Sequence, residues 1–232
     1  MIHFPTASTS EGQASGYLAL AEAGQGPGVL VLHAWWGLND FIKELCDRLA
    51  EEGFVALAPD LFDGATADTV AGAEELLTQH DSARIEATVR SAVDYLRHHQ
   101  AVVGDAIGLV GFSFGAAWAL LLATVFQPED IGAVVVFYGN HPGLGTGEFA
   151  QSRAAFLGHF AADDPYEAAD DMRQTEAAIQ AAGRPVTFHV YPQTGHWFFE
   201  ADRPDAYRAA AADLAWDRTL AFLRQHLAGK IS

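Results

Sequence analysis

The pentapeptide Gly111-Phe112-Ser113-Phe114-Gly115 carries the clearest chemistry in this 232-residue chain. A G-x-S-x-G pattern suits a sharp strand-to-helix turn, where the glycines avoid clashes that a Cβ would create. Such a turn holds the serine Oγ at the carboxyl edge of a sheet, with a helix N-terminus behind it to favour a developing oxyanion. As a bare pattern it is only moderately specific, and a structural Gly/Ser turn is the alternative. Context favours the chemical reading. An apolar run, Ile107 to Val110, directly precedes the motif, and a small-residue stretch containing Ala116, Ala117 and Ala119 follows it.

A serine hydroxyl is a weak nucleophile and needs a base, which in turn needs an orienting carboxylate. In this arrangement the partners follow the serine in the order acid, then histidine, each in a loop after a strand. His196, in Tyr191-Pro192-Gln193-Thr194-Gly195-His196-Trp197-Phe198, lies just past the last expected strand. Other histidines fall on helical segments (His98, His99, His226), inside a strand (His189), or away from the required edge (His3, His80, His141). Asp163 and Asp164 both qualify as the acid by order, and Asp164 is preferred because Pro165 follows it and a helix is expected to begin there. The N–H after the serine, that of Phe114, is one expected oxyanion donor. The second is expected from the loop His33-Ala34-Trp35-Trp36-Gly37, at the N–H of Trp35. Trp36, Tyr138 and Trp197 are candidates, with Trp35, for the wall of an apolar substrate pocket.

The elements that must position these residues alternate in type. Short apolar, β-branched runs are separated by longer helical patterns, as in a mostly parallel sheet wound with helices. Strands are expected at 17–22, 28–33, 54–58, 106–112, 132–138, 154–160 and 186–191. Helices are expected at 38–52 (capped by Asn39 or Asp40), 68–80, 82–99 (divided near Asp81), 116–126, 166–182 and 205–227. That makes about seven strands, no linker, and one domain over 1–232. Residues 140–152 read as a flexible loop. Gly143-Leu144-Gly145-Thr146-Gly147 within it lacks the G-x-G-x-x-G spacing and any helix directly after it to receive a phosphate.

A formal charge of −17 argues against nucleic-acid and anionic-membrane partners. Cys46 is the only cysteine, so no intramolecular disulfide can form, and its setting between Leu45 and Leu49 suggests an inert core thiol. The residues Met1-Ile2-His3-Phe4-Pro5 lack signal-peptide character, and no apolar run reaches membrane-span length. The expectation is a cytoplasmic protein, a monomer with a dimer as the alternative.

Taken together, HAWWGLND (33–40), LAPDLFDG (57–64), GFSFGA (111–116), HFAADDPY (159–166), YPQTGHWF (191–198) and AWDRTLAFLRQHL (215–227) resemble the dienelactone hydrolase family. The likeness spans nearly the whole chain. It implies a compact α/β-hydrolase fold without a cap domain, acting on small esters or lactones with no cofactor and no metal. It also implies Ser113, Asp164 and His196 as a triad, with Trp35 and Phe114 as the oxyanion hole. The chain departs from the family's best-known members in three places. They have cysteine where Ser113 stands, glutamate where Ala34 stands, and arginine where Glu200 stands, four residues after the base. A serine is deprotonated only as the base takes its proton, so a helper glutamate has no purpose beside it. An arginine would bind a carboxylate-bearing lactone, and Glu200 would repel one if it faced the site. A strict dienelactone hydrolase and a non-catalytic binding protein on the same fold are the competing readings. A peptidase or C–C-bond hydrolase is a more distant one.

Overall fold

A computed structural model describes residues 1–6 and 12–227. Eight strands form one sheet: β1 (Ile2–Pro5), β2 (Gln13–Ala19), β3 (Gly28–Leu32), β4 (Val55–Pro59), β5 (Ile107–Phe112), β6 (Ile131–Phe137), β7 (Ala155–Ala161) and β8 (Val186–Tyr191). Their spatial order is β1-β2-β4-β3-β5-β6-β7-β8. β1 and β2 pair antiparallel, β2 and β4 likewise, and all other pairs are parallel. The central strands β3, β4 and β5 are buried along their whole length, which is why they read as unbroken apolar runs.

The helices are α1 (Asp40–Glu51), α2 (Val70–Gln79), α3 (Ser82–Arg97), α4 (Phe114–Leu121), α5 (Thr146–Gln151), α6 (Ala169–Ala181) and α7 (Ala209–Leu227). Polar caps set several of their starts. Asn39 Oδ1 accepts from the Ile42 N–H and Asp81 Oδ1 from the Ala83 N–H. Two positions three residues apart on β5, and so on opposite faces, show that both faces are covered. A Cβ at Gly108 would meet Leu223 and Leu227 of α7, and one at Gly111 would meet Gly115 and Ala116 of α4. α1 shares the α7 face, with the Arg48 guanidinium 4.2 Å from the Trp216 ring centre.

The structure departs from the sequence expectation in five places. β1 is an eighth strand, too short and too near the edge to give a pattern. β2 covers 13–19 rather than 17–22, because antiparallel pairing with β4 runs from Gly16 to Ala19. The helix expected at 116–126 starts at Phe114 and passes into a π-helical segment, Leu122–Phe126. Residues 140–152 contain α5, which starts inside the glycine-rich stretch, where Glu148 folds back to accept the Gly145 N–H. α6 begins at Ala169, so no helix starts directly at Pro165. Among the described residues there is one sheet, and no helix is long and apolar enough to cross a membrane.

Candidate active site

Ser113 joins the end of β5 to the start of α4 in a conformation that few L-residues adopt, φ 49° and ψ −112°. Such backbone costs about 1–3 kcal/mol and persists only where its surroundings hold it. The Ser113 N–H donates to Phe137 O at 2.9 Å, tying the turn to β6. The glycines let backbone close around it. A Cβ on Gly115 would sit 2.2 Å from Leu32 O and 2.6 Å from His33 O. Gly115→Ala is therefore expected to destabilise the fold by about 3 kcal/mol, since only backbone could move aside. Thermal unfolding checks this, and an unchanged midpoint would remove the close-packing account of the motif.

Asp164 and His196, the expected acid and base, arrive on two loops that are tied together. The Ala162 N–H donates to Tyr191 O and the Asp163 N–H to Thr194 O, both at 3.0 Å, linking the segment after β7 to the segment after β8. His196 Nδ1 donates to Asp164 at 2.9 Å (Oδ1) and 2.8 Å (Oδ2). With that tautomer, Nε2 accepts from Ser113 Oγ at 2.8 Å. Both side chains of the His–Asp pair are about 96–97 % buried (4 % and 3 % exposed). Asp164 Oδ1 also accepts from the N–H groups of Tyr166 (2.9 Å) and Glu167 (3.1 Å), which fix its orientation. Asp163, by contrast, is exposed. Half-buried Glu167 is pushed up to about 7 by burial and by the charges of Asp164 and Asp171.

Phe114 is the first residue of α4, so its N–H has no intrahelical acceptor. The Trp35 N–H lies in the turn after β3 and has no acceptor among the described residues. A buried histidine that the sequence reading passed over holds this turn. His33 Nδ1 donates to Ala34 O at 2.7 Å and Nε2 accepts from the Leu61 N–H at 3.2 Å. Burial lowers the His33 pKa, in keeping with a neutral ring.

Aromatic rings cover the histidine. Trp197 and Tyr166 each lie 5.1 Å from the imidazole centre, and Trp35 lies 5.9 Å from Tyr166 and 6.1 Å from Trp197. Tyr166, half-exposed, carried no sequence signal. Trp36 is buried behind this wall, 5.2 Å from Trp197, with the Arg203 guanidinium 3.7 Å from its ring centre. Tyr138 is fully buried under His196, at 4.8 Å, so its ring is placed below the imidazole rather than at a pocket mouth. Glu200 is equally buried and accepts from the Tyr138 hydroxyl at 2.7 Å. It therefore does not face outward.

Burial pushes Glu200 up to about 8, opposed by its bond from Tyr138 and by Arg203, and reinforced by Asp202. An unfolded glutamate ionises near 4.5, so between about pH 4.5 and 8 the folded chain holds a proton that the unfolded chain has lost. Stability from this group thus falls as pH rises through that window. Glu200→Gln, which cannot ionise, is expected to gain on the wild type by up to about 1.4 kcal/mol per pH unit there. Denaturant unfolding at pH 5, 6.5 and 8 checks this. A constant difference would mean that Glu200 ionises freely in the folded chain.

Cys46 is fully buried, its pKa raised by burial. Among the described residues, no three His, Cys, Asp or Glu side chains are grouped to hold a metal ion.

Comparison with known proteins agrees with this architecture. A relative named "Protein usf" from Aquifex pyrophilus is 33 % identical over 218 residues, covering 91 % of this chain and 93 % of its own. The Bradyrhizobium protein named "Probable 2-oxo-3-(5-oxofuran-2-ylidene)propanoate lactonase" is 34 % identical over 219 residues, covering 89 % and 87 %. The crystal structure of a dienelactone hydrolase from Anabaena variabilis superimposes with a TM-score of 0.69 at 21 % identity, over 97 % of this chain and 98 % of that one, and so shares the fold. The model of the dienelactone hydrolase family matches residues 14–227, and the chain belongs to that family.

Proposed function

We propose that the chain cleaves small, uncharged carboxylic esters or lactones by two-step acyl transfer through Ser113. That it is a hydrolase of esters or lactones follows from its family. The observation that carries the mechanism is the unbroken chain from Ser113 Oγ to His196 to Asp164, each link 2.8 Å, beginning at a strained turn. Ser113 attacks the carbonyl carbon while His196 takes its proton, and Asp164 holds the imidazole in the required tautomer and stabilises the imidazolium. The N–H groups of Phe114 and Trp35 receive the oxyanion. Collapse expels the alcohol, protonated by His196. Water, deprotonated by His196, then attacks the acyl-enzyme and releases the acid.

Trp35, Trp197 and Tyr166 are the proposed walls of the substrate site, backed by Trp36. A substrate without charge fits the groups nearby. Glu200 offers no positive charge, and Arg203 is committed to the Trp36 ring and to the carbonyls of Asp68 (2.9 Å) and Ala67 (3.3 Å). The second reading, a strict dienelactone hydrolase, is favoured by the lactonase name of the Bradyrhizobium relative. The proposal includes a cytoplasmic monomer, a dimer being the alternative, with no cofactor and no nucleic-acid or membrane partner. The charge of −17 supports the last two exclusions.

The test is a panel of neutral esters and lactones in competition with a carboxylate-bearing lactone. Neutral substrates should lead in kcat/KM by at least about tenfold, equivalent to 1.4 kcal/mol. A preference for the carboxylated lactone would establish the second reading instead.

A further inference from the structure

Hydrogen bonds at both nitrogens hold the edges of the His196 ring, Nδ1 donating to Asp164 and Nε2 accepting from Ser113, but they leave it free to tip about the line joining them. Its faces are held by packing. Of the three aromatic rings against it, Tyr166 is half-exposed and Trp197 partly so, while Tyr138 is completely buried. Tyr138 is thus the most deeply buried of the three supports.

That support is itself under tension. Tyr138 sits at φ 36°, a conformation that costs energy for a bulky residue. Its backbone is held at one end by the N–H bond to His159 O at 2.8 Å. Its hydroxyl is held at the other by Glu200, 2.7 Å away. The pair lies among Phe112, Phe137 and Phe198, whose rings all contact Tyr138. A carboxyl in such surroundings is costly, and a hydrophobic residue would fill the space more cheaply. Burial pushes the Glu200 pKa up to about 8, which favours the neutral acid there and lowers that cost. The charges of Asp202 and Arg203, on its own segment, act on Glu200, and Asp164 acts on Tyr138 from the loop after β7.

We propose that Glu200 is a positioning residue acting on His196 through Tyr138: it anchors the phenol hydroxyl, and the anchored ring keeps the imidazole aligned between Ser113 and Asp164. This rests on the hydrolase reading above. Glu200 then occupies the place of a substrate-binding arginine without touching substrate, supporting the base from below.

The experiment measures the rate at which a fluorophosphonate labels Ser113, alongside kcat and KM for a short p-nitrophenyl ester, all per folded molecule. Tyr138→Phe, Glu200→Leu, their double variant and Glu200→Gln are compared. Tyr138→Phe and Glu200→Leu should each slow labelling and lower kcat by about 10- to 100-fold with KM little changed. The double variant should be no slower than the worse single, because the two side chains act as a unit. Glu200→Gln keeps an acceptor for the hydroxyl and should recover to within a few-fold of wild type. A purely structural role would shift the melting midpoint of the variants and leave the per-molecule rate alone, which would overturn the proposal. So would a Gln variant no faster than the Leu one. Should Glu200→Leu fail to fold, Tyr138→Phe, which removes a single oxygen atom, and Glu200→Gln decide the matter between them. Wild-type protein that the probe does not label would instead sink the hydrolase reading, and this inference with it.

Discussion

Ser113→Ala is expected to lower kcat for a short p-nitrophenyl ester by about 10⁵–10⁶-fold while the protein remains folded. The nucleophilic oxygen is the only atom removed. The turn keeps the same backbone demand, since Ala carries the same Cβ at φ 49° and both flanking glycines remain. Only one side-chain hydrogen bond is lost, that to His196 Nε2, so the melting midpoint should move by a few degrees at most. No substitute nucleophile is at hand, because the one thiol, Cys46, is fully buried with its pKa raised. What remains should be the modest acceleration that an oxyanion hole and binding give without a nucleophile, about 10³-fold over water. Steady-state kinetics with circular dichroism as the control decide it. A Ser113→Ala protein retaining more than about one per cent of wild-type kcat would remove Ser113 from the reaction, since general-base hydrolysis is not that efficient.

The same two residues show where sequence information ends. The turn at Ser113 was legible because its requirements are local: an apolar strand, two glycines and a small-residue helix, all between Ile107 and Ala119. The position of His196 beside Ser113 was legible because chain order in a wound parallel sheet dictates which loops meet at the carboxyl edge. Order could not separate Asp163 from Asp164. The choice depends on which backbone N–H reaches Thr194 O, and once Asp163 spends its N–H there, Asp164 is turned inward. The central strands declared themselves because burial on both faces leaves an unbroken apolar run. β1 did not, because four residues at a sheet edge carry no period, and Phe4 alone of them is buried.

Glu200 illustrates a different limit. Alignment with the family's arginine position suggests a charged group that could meet substrate, and residue type alone cannot show where it points. The turn closed by Trp197 O and the Glu200 N–H at 2.9 Å, after a Trp197 at φ 66°, carries the side chain beneath the histidine instead of beside it. Positive-φ residues other than glycine are hard to anticipate from sequence, yet of the five among the described residues three, Ser113, Tyr138 and Trp197, border the same imidazole. Strain concentrated in this way is expected where side chains must be held against their own preferences.

The second large effect separates the two aspartates. Asp164→Asn should lower kcat by about 10⁴-fold, whereas Asp163→Asn should stay within about threefold of wild type. Asparagine has nearly the same shape, and its Oδ1 can still accept from the N–H groups of Tyr166 and Glu167, so the loop should keep its form. The side-chain NH₂ would then face His196 Nδ1 as a donor. To accept that bond, Nδ1 must lose its hydrogen, and the proton moves to Nε2, the nitrogen that has to receive the serine proton. The base is thereby placed in the wrong tautomer, and the negative charge that stabilises the imidazolium is gone. Asp163 has none of these duties: its part in the site is a backbone N–H, which the substitution leaves in place. Steady-state kinetics on both variants with one neutral ester therefore assign the acid directly. Equal losses at the two positions would point to disruption of the shared loop, and a loss at Asp163 alone would transfer the role to it.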